Sequence, residues 1–373
     1  MAAATGMAVA NIYYNQPMLG LVEHDMPGRL SALLPMVTQL GYALGLVLVV
    51  PLGDLVERRR LIVVQFLLLA GVLGLMAGSQ GVWWLLACAL GVGAAATVAQ
   101  QIVPFAATLA RPERRGAVVG TVMSGLLCGI LLSRTVSGAV SAHWGWRAMF
   151  GAAVPISLLG AAMMALRLPH SRPAAHHLTY PRLLASMAHL WRHHGALRLG
   201  AISQAALFGS FSAFWSMLAL HLQEPRFALG AGTAGLFGVI GIVGVAAAPL
   251  AGRVADRHGP RPMIVAGAVI ALLAWLVFWL WNALAGLVLG VILLDFGVQI
   301  ALISNQHVVY ALEPHARARI NTVFMAVMFL GGAAGSLAAA LSWSHGGWGG
   351  VCLVGLVASL GAAVLQLSAL LRR

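Results

Sequence analysis

Pro51-Leu52-Gly53-Asp54-Leu55-Val56-Glu57-Arg58-Arg59-Arg60 closes a long apolar run with an acidic and then basic cluster. About 200 residues later the chain repeats the device as Gly252-Arg253-Val254-Ala255-Asp256-Arg257-His258-Gly259-Pro260-Arg261. Charge is scarce elsewhere: 8% of residues are charged, 61% are hydrophobic, and the mean hydropathy is +0.91. A soluble domain carries about 25% charged residues, so this chain has too little polar surface for a water-soluble fold. Two matching charge clusters in such a background mark a membrane bundle that has been duplicated.

Outward from the clusters, apolar runs alternate with charged or Gly/Pro-rich breaks. They predict twelve transmembrane helices with approximate limits 3–22, 31–53, 61–79, 82–109, 116–139, 146–167, 197–221, 230–252, 262–282, 285–310, 318–342 and 348–371. Each is long enough for a bilayer core, which needs about 20 residues of helix. The 44 glycines fit, because small residues let helices approach closely where lipid gives no hydrophobic drive. Gly41-x-x-x-Gly45, Gly116-x-x-x-Gly120 and Gly125-x-x-x-Gly129 are expected contact stripes. The first span begins almost at Met1 and is expected to serve as its own insertion signal, unless translation starts further upstream.

All 22 basic residues are arginines. With the N-terminus placed in the cytoplasm, inner segments hold 18 arginines and outer segments hold Arg29, Arg147 and Arg226 alone. That bias predicts both termini inside and an even number of spans. The net charge of +13 is therefore topological. No basic stripe interleaved with aromatics points to nucleic acid.

The polar stretch from about 168 to 196 splits the chain into two bundles, residues 1–168 and 197–373. Leu183, Leu184, Met187, Leu190 and Trp191 recur at helical spacing within it and predict a short amphipathic helix on the inner membrane surface. His176-His177 and His193-His194 lack a cysteine or carboxylate companion, so no metal is expected. Cys88, Cys128 and Cys352 read as small apolar packing residues.

At this point the residues resemble the major facilitator superfamily. Asp54 with Arg58 and Arg59, and Gly252-x-x-x-Asp256-Arg257-x-Gly259-x-Arg261, look like its loop signature between helices two and three, repeated between eight and nine. The first copy departs from the form, with Val50 and Glu57 where glycines are expected. The fifth helix, Gly120 through Gly125, Gly129 and Gly138, is similar to that of the drug:proton antiporter branches. Asn11-Ile12-Tyr13-Tyr14-Asn15-Gln16-Pro17 resembles the first helix of an arabinose-efflux-like bacterial subgroup. The resemblance implies an all-α fold of two pseudo-symmetric six-helix bundles in the bacterial inner membrane. It also implies secondary transport of a small solute by alternating access, without a cofactor and as a monomer. Proton-coupled efflux is the expected mode, and uniport or proton-coupled import is the alternative. The fourth helix lacks the arginine usual in antiporter branches, so coupling must use other residues.

Ionisable groups inside spans are functional candidates. Asp295 stands mid-way along the tenth helix, where a carboxylate is costly to keep charged and can take up and release a proton. Arg134 is the one intramembrane cation. At about 1.5 Å per residue it lies about 25 Å from the inner end of its helix, and Asp295 about 21 Å from the inner end of its own. A pair between them is compatible in depth; Glu23 or Asp25 is the other possible partner of Arg134. In the family, helices one, four, seven and ten line the cavity. Carried over, this implies Asn11, Tyr13, Tyr14, Asn15 and Gln16; Gln100 and Gln101; Gln204, Ser210, Ser212 and Trp215; and Gln299, Asn305 and Gln306. The loop residues Asp54, Arg58, Arg59, Asp256, Arg257 and Arg261 are expected to act as gate latches, since topology alone does not require aspartate. No His-Glu-x-x-His, Gly-x-Ser-x-Gly or nucleotide-binding loop appears, which disfavours a membrane enzyme or direct ATP drive.

Overall fold

The computed structural model describes residues 1–111, 114–170, 179–241 and 259–372 of the 373-residue chain. Among the described residues every regular element is helical. The chain divides into two compact units, Met1–Ala188 with Gly230–Gly235, and His189–Leu229 with Leu236–Arg373. The boundary falls inside the linker helix.

The first unit holds α1 (Ala2–Ala10), α2 (Leu19–Asp25), α3 (Leu34–Leu48), α4 (Arg58–Ala77), α5 (Val82–Ala96), α6 (Val98–Leu109), α7 (Arg115–Trp144) and α8 (Trp146–Arg167). In it α1 packs on α7, α3 on α5, and α4 on α8. Glycine makes two of these seams possible. A Cβ at Gly6 would lie 2.6 Å from the carbonyl oxygen of Gly125, and one at Gly45 would lie 2.7 Å from that of Ala94. The stripes Gly125-x-x-x-Gly129 and Gly41-x-x-x-Gly45 thus bring backbones into contact. Gly116 and Gly120 do not: nothing lies within 4 Å of a Cβ at either. Between α7 and α8 the chain reverses at a single residue, Gly145, whose φ of 80° is open to glycine at little cost.

The linker helix α9 (Tyr180–His193) buries Leu183, Met187 and Leu190. The Tyr180 hydroxyl donates to the Leu48 carbonyl at 2.7 Å. Its apolar stripe is therefore covered by protein, where the sequence suggested a membrane surface. His176 and His177 lie outside the described residues.

The second unit holds α10 (Gly195–Gln223), α12 (Pro260–Leu280), α13 (Leu284–Tyr310) and α14 (Arg317–Leu371), while the division between units falls within α11 (Ala231–Ile240) after Gly235. Helix α10 packs along α14, and α12 along α13. The 55-residue α14 bends at Gly347 (φ 52°, ψ −143°), so it is two spans joined by one glycine.

Among the described residues nine helical stretches are long and apolar enough to cross a membrane, counting α5 with α6 as one and α14 as one. The bend makes two spans of α14. The broken first helix and the shorter apolar α11 are consistent with twelve; the rest of the eighth expected span, to 252, lies outside the described residues. Large apolar side chains face outward, and Trp83, Trp84, Trp144, Trp279 and Trp281 are exposed at helix ends. Tryptophans in that position suit the boundary between lipid and water.

Candidate functional site

The first span is not one helix. Between α1 and α2 the backbone turns through Asn11–Met18 with only short-range bonds, such as Tyr13 N–H to Ala10 O at 3.1 Å and Gln16 N–H to Tyr13 O at 3.3 Å. The local sequence explains the break. Pro17 has no N–H to donate and disfavours helix at the residue before it, and Asn and Tyr are indifferent helix formers. Discontinuous helices at mid-membrane supply binding groups in transporters because their backbone and side chains are free of the helical ladder.

The polar side chains of this break have distinct partners. Asn11 donates from Nδ2 to the carbonyls of Met7 and Ala8, at 2.7 and 3.2 Å. Asn15 Nδ2 donates to Thr38 Oγ1 at 2.8 Å. Gln16 Oε1 accepts from Arg134 Nε at 2.9 Å, and the Arg134 guanidinium lies 4.8 Å over the Tyr13 ring. Arg134 is 1% exposed, so this fully buried cation is held by an amide and an aromatic face from the first span. Tyr14 is buried beside them. The buried oxygens Asn11 Oδ1 and Asn15 Oδ1 have no hydrogen-bond partner among the described residues.

Arg134 does not pair with Asp25. The Asp25 carboxylate accepts from Arg147 Nη1 at 2.7 Å and from Trp146 Nε1 at 2.9 Å. These two hydrogen bonds, Trp146 first, hold its carboxyl below the usual carboxylate range. Depth arithmetic placed Arg134 along its helix axis but could not give its direction around the axis.

Gln100 and Gln101 divide. Gln100 Nε2 donates to the Tyr42 hydroxyl at 3.2 Å. Gln101 Nε2 instead donates to the carbonyls of Val49 and Val50, at 3.3 and 3.0 Å. There α3 gives way to a 3-10 turn, Val50–Asp54, and its last carbonyls need donors. Gln101 is thus committed to backbone, not to an open cavity.

At the loop that opened the sequence argument, Asp54 Oδ1 pairs with Arg58 Nη2 at 2.9 Å, and Arg58 Nε donates to Gly53 O at 3.0 Å. Arg59 reaches further. It donates to the Ala165 carbonyl in the last turn of α8, and its Nη1 lies 2.7 Å from His170 Nε2. His170 Nδ1 is 2.8 Å from Glu57 Oε1. Glu57, placed where the family has glycine, therefore anchors the start of the linker. Asp256 and Arg257 lie outside the described residues.

In the second unit Trp215 Nε1–H donates to Asp295 Oδ1 at 3.4 Å, and Asp295 is half-buried. Phe208, Phe211, Phe214 and Trp215 form an aromatic ladder on α10. Phe208 stacks on Phe211 (5.5 Å, 14°) and meets Phe329 edge-on at 5.0 Å. Sequence reading noted Trp215 and missed the phenylalanines, whose spacing of three and four was the available signal. Asn305 Nδ2 donates to Gln204 Oε1 at 3.2 Å, and both are fully buried. Asn305 also borders a cavity of about 310 Å³ near the linker end, with Arg261 and Gln366. Ser210 Oγ donates to Leu207 O of its own helix. Gln299 and Gln306 are half-buried.

Against known proteins, residues 1–247 and 199–373 each match the model of a family described as Major Facilitator Superfamily. The chain belongs to that superfamily. It is 44% identical over 363 residues to an uncharacterised transporter of Escherichia coli O157:H7, YgaY, covering 96% of this chain and 92% of that one. It is 36% identical over 365 residues to a probable transporter of Streptomyces coelicolor, SCO4007, covering 95% and 83%. Among solved structures, it resembles a bacterial homologue of the human lysosomal transporter Spinster, with a TM-score of 0.74, 15% identity and coverage of 98% and 94%. A peptide transporter, POT, gives a TM-score of 0.76 at 14% identity, with coverage of 97% and 93%. At such identities these structures speak to the fold alone. The protein is accordingly a multi-pass membrane transporter of this superfamily, and not an enzyme.

Proposed function

We propose that this superfamily member is a proton-coupled exporter of a small drug-like, sugar or metabolite solute across the bacterial inner membrane. It works as a monomer with both termini cytoplasmic. Residues 1–168 and 197–373 act as the two halves of an alternating-access transporter. The observation that carries the reading is Asp295, a mid-span carboxylate that meets the Trp215 indole at 3.4 Å. In a low-dielectric site a carboxylate is costly to charge, so binding and releasing a proton there changes which partners Trp215 and its neighbours favour. Arg134, held by Gln16 and Tyr13 within the first unit, is assigned a share in proton coupling as a buried cation. The broken Asn11–Met18 stretch, Gln100, Gln204, Trp215, Gln299 and Asn305 supply amides and aromatic faces suited to a neutral or amphiphilic solute.

Asp54, Arg58 and Arg59, with Asp256, Arg257 and Arg261, are assigned to cytoplasmic gating. The pairing of Asp54 with Arg58 and the reach of Arg59 to the end of α8 support this role, because each would have to give as the loop moves. The alternative is uniport or proton-coupled import on the same scaffold, favoured by the lack of an arginine in the fourth span. The test compares accumulation of a dye panel in cells with wild type, Asp295→Asn and no transporter, with and without an uncoupler. Uncoupler-sensitive efflux that is lost in Asp295→Asn supports the reading. Efflux by Asp295→Asn that stays uncoupler-sensitive overturns the role of Asp295, and transport indifferent to the uncoupler selects uniport.

A further inference from the structure

The second unit contains a buried titratable group that the transport reading does not use. His221 lies on the last turn of α10 and is 0% exposed. Its ring lies flat on the Trp348 indole, with centroids 3.9 Å apart and planes at 5°. Phe227 and Trp343 meet it edge-on at 5.2 and 6.3 Å. Nε2 is 2.9 Å from Asn282 Oδ1, and Nδ1 is 3.2 Å from Glu224 Oε1. One imidazole thus joins the end of α10, the turn after it, the loop after α12, and the bend of α14.

A neutral imidazole has one N–H. With that hydrogen on Nε2 toward Asn282, the bare Nδ1 lone pair is set against a carboxylate oxygen. A second proton removes the conflict and makes the ring a donor on both sides. The flat indole also favours a cation above its face. Asn282 can serve either state: its oxygen accepts from the charged ring, and its NH2 can turn to donate to the neutral one. Among the described residues, the charged groups bearing on His221 are Glu224 on its own turn and Arg226, whose guanidinium sits over Phe227 at 5.4 Å. Asn282, Trp343 and Trp348, from the other elements packed against it, are neutral.

We propose that His221 and Glu224 form a proton-binding site at the end of the second unit opposite the linker, separate from Asp295. The step is simple protonation: a proton from solution adds to Nδ1, and nothing leaves. Glu224, whose side chain is 35% exposed, opens the site to solution. With the termini inside, that solution is the outer one. Proton uptake lets the ring donate to Glu224 and Asn282 at once, and proton loss leaves a single N–H for the two sides while the Trp348 stack stays in place.

The full-length protein, labelled with 15N-histidine and purified in detergent, is titrated by NMR from about pH 5 to 8, the range where histidine changes charge. Signals absent from His221→Gln identify the site. The expected result is a His221 signal that titrates in this window, with a midpoint about 1 pH unit lower in Glu224→Gln, the size of effect expected for removing an opposite charge at this range. A His221 that stays neutral throughout, or a midpoint unmoved in Glu224→Gln, overturns the proposal. Should His221→Gln fail to fold, the signal that moves between wild type and the partly exposed Glu224→Gln variant gives the same assignment, and absence of any such signal refutes it. The titration does not depend on Asp295, so Asp295→Asn should leave it unchanged whatever that variant does to transport.

Discussion

The seam between α1 and α7 offers a sharp test of the packing, because one helix carries a glycine that needs its lack of a side chain and another that does not. A Cβ at Gly129 would lie 2.5 Å from Gly6 Cα and 2.7 Å from its carbonyl carbon. Ordinary contact begins at 3.4 Å, so Gly129→Ala must part the two backbones by about 0.9 Å. Overpacking of this kind costs about 1–3 kcal/mol. Alanine also favours helix over glycine by up to about 1 kcal/mol, which would blur the result for one variant alone. Gly120→Ala, in the same helix with nothing within 4 Å, receives the same intrinsic gain without the clash. The difference between the two variants therefore isolates the steric term of about 1–3 kcal/mol. Each kcal/mol shifts a melting temperature by roughly 2–4 °C, so thermal unfolding in detergent should place Gly129→Ala several degrees below Gly120→Ala. Arg134 follows Gly129 by under two turns, so the same separation stretches its 2.9 Å bond to Gln16 and should depress transport too. Equal melting temperatures for the two variants would refute the close approach.

Three further outcomes follow from individual contacts. Gln101→Leu removes a donor to the part-buried Val49 and Val50 carbonyls; Val49 O keeps the Leu52 N–H at 3.1 Å, so the loss is that of ordinary hydrogen bonds, about 0.5–1.5 kcal/mol each, and melting in detergent should fall accordingly. Asp25 has a depressed carboxyl in the folded protein, owing to Trp146 and then Arg147. Its stabilisation is present above the unfolded carboxylate range, near pH 3.9, and is lost as pH falls through the lower folded value. Asp25→Asn should therefore melt below wild type at neutral pH, with the gap closing in acid; a gap that widens in acid contradicts the assignment. Asp54→Ala should impair transport while leaving membrane insertion intact, as judged by dye accumulation and the amount of protein in the membrane. Normal transport would reduce the loop to a topological signal.

Helical spans were legible because apolar length is a one-dimensional property, and a bilayer imposes it on every crossing segment. What escaped is what depends on direction around a helix. Arg134 and Asp25 share a plausible depth range, yet Arg134 turns to Gln16 while Asp25 turns to Arg147 and Trp146. Gln101 looked equivalent to Gln100, but one position along a helix rotates a side chain by about 100°, enough to send it to the Val49 and Val50 carbonyls. The break in the first span had a readable cause in Pro17 and the Asn-Ile-Tyr-Tyr-Asn-Gln run before it; hydropathy, which averages over a window, concealed it. His221 had a local signal as well, in the His221-Leu222-Gln223-Glu224 spacing. The partners that bury it, Asn282 and Trp348, lie 61 and 127 residues away in sequence.

The break in the first span links these observations to transport. An unbroken helix would put Asn11 and Asn15 on nearly the same face with Gln16 about 100° away from Asn15, and would occupy its backbone groups in its own ladder. Turning at Asn11–Met18 lets Gln16 reach Arg134, lets Asn15 reach Thr38, and places Tyr13 under the guanidinium. Each bond ties a different neighbour, α7 or α3, to the same short stretch. The glycine seam keeps α1 close enough to α7 for the first of these to form, since Gly129 lies under two turns from Arg134 and packs on Gly6 of the helix that leads into the break. Buried Asn11 Oδ1 and Asn15 Oδ1 remain without donors among the described residues. A donor reaching either oxygen would satisfy it without displacing the Nδ2 bonds to Met7, Ala8 and Thr38, so the break offers two acceptors that its own contacts leave open.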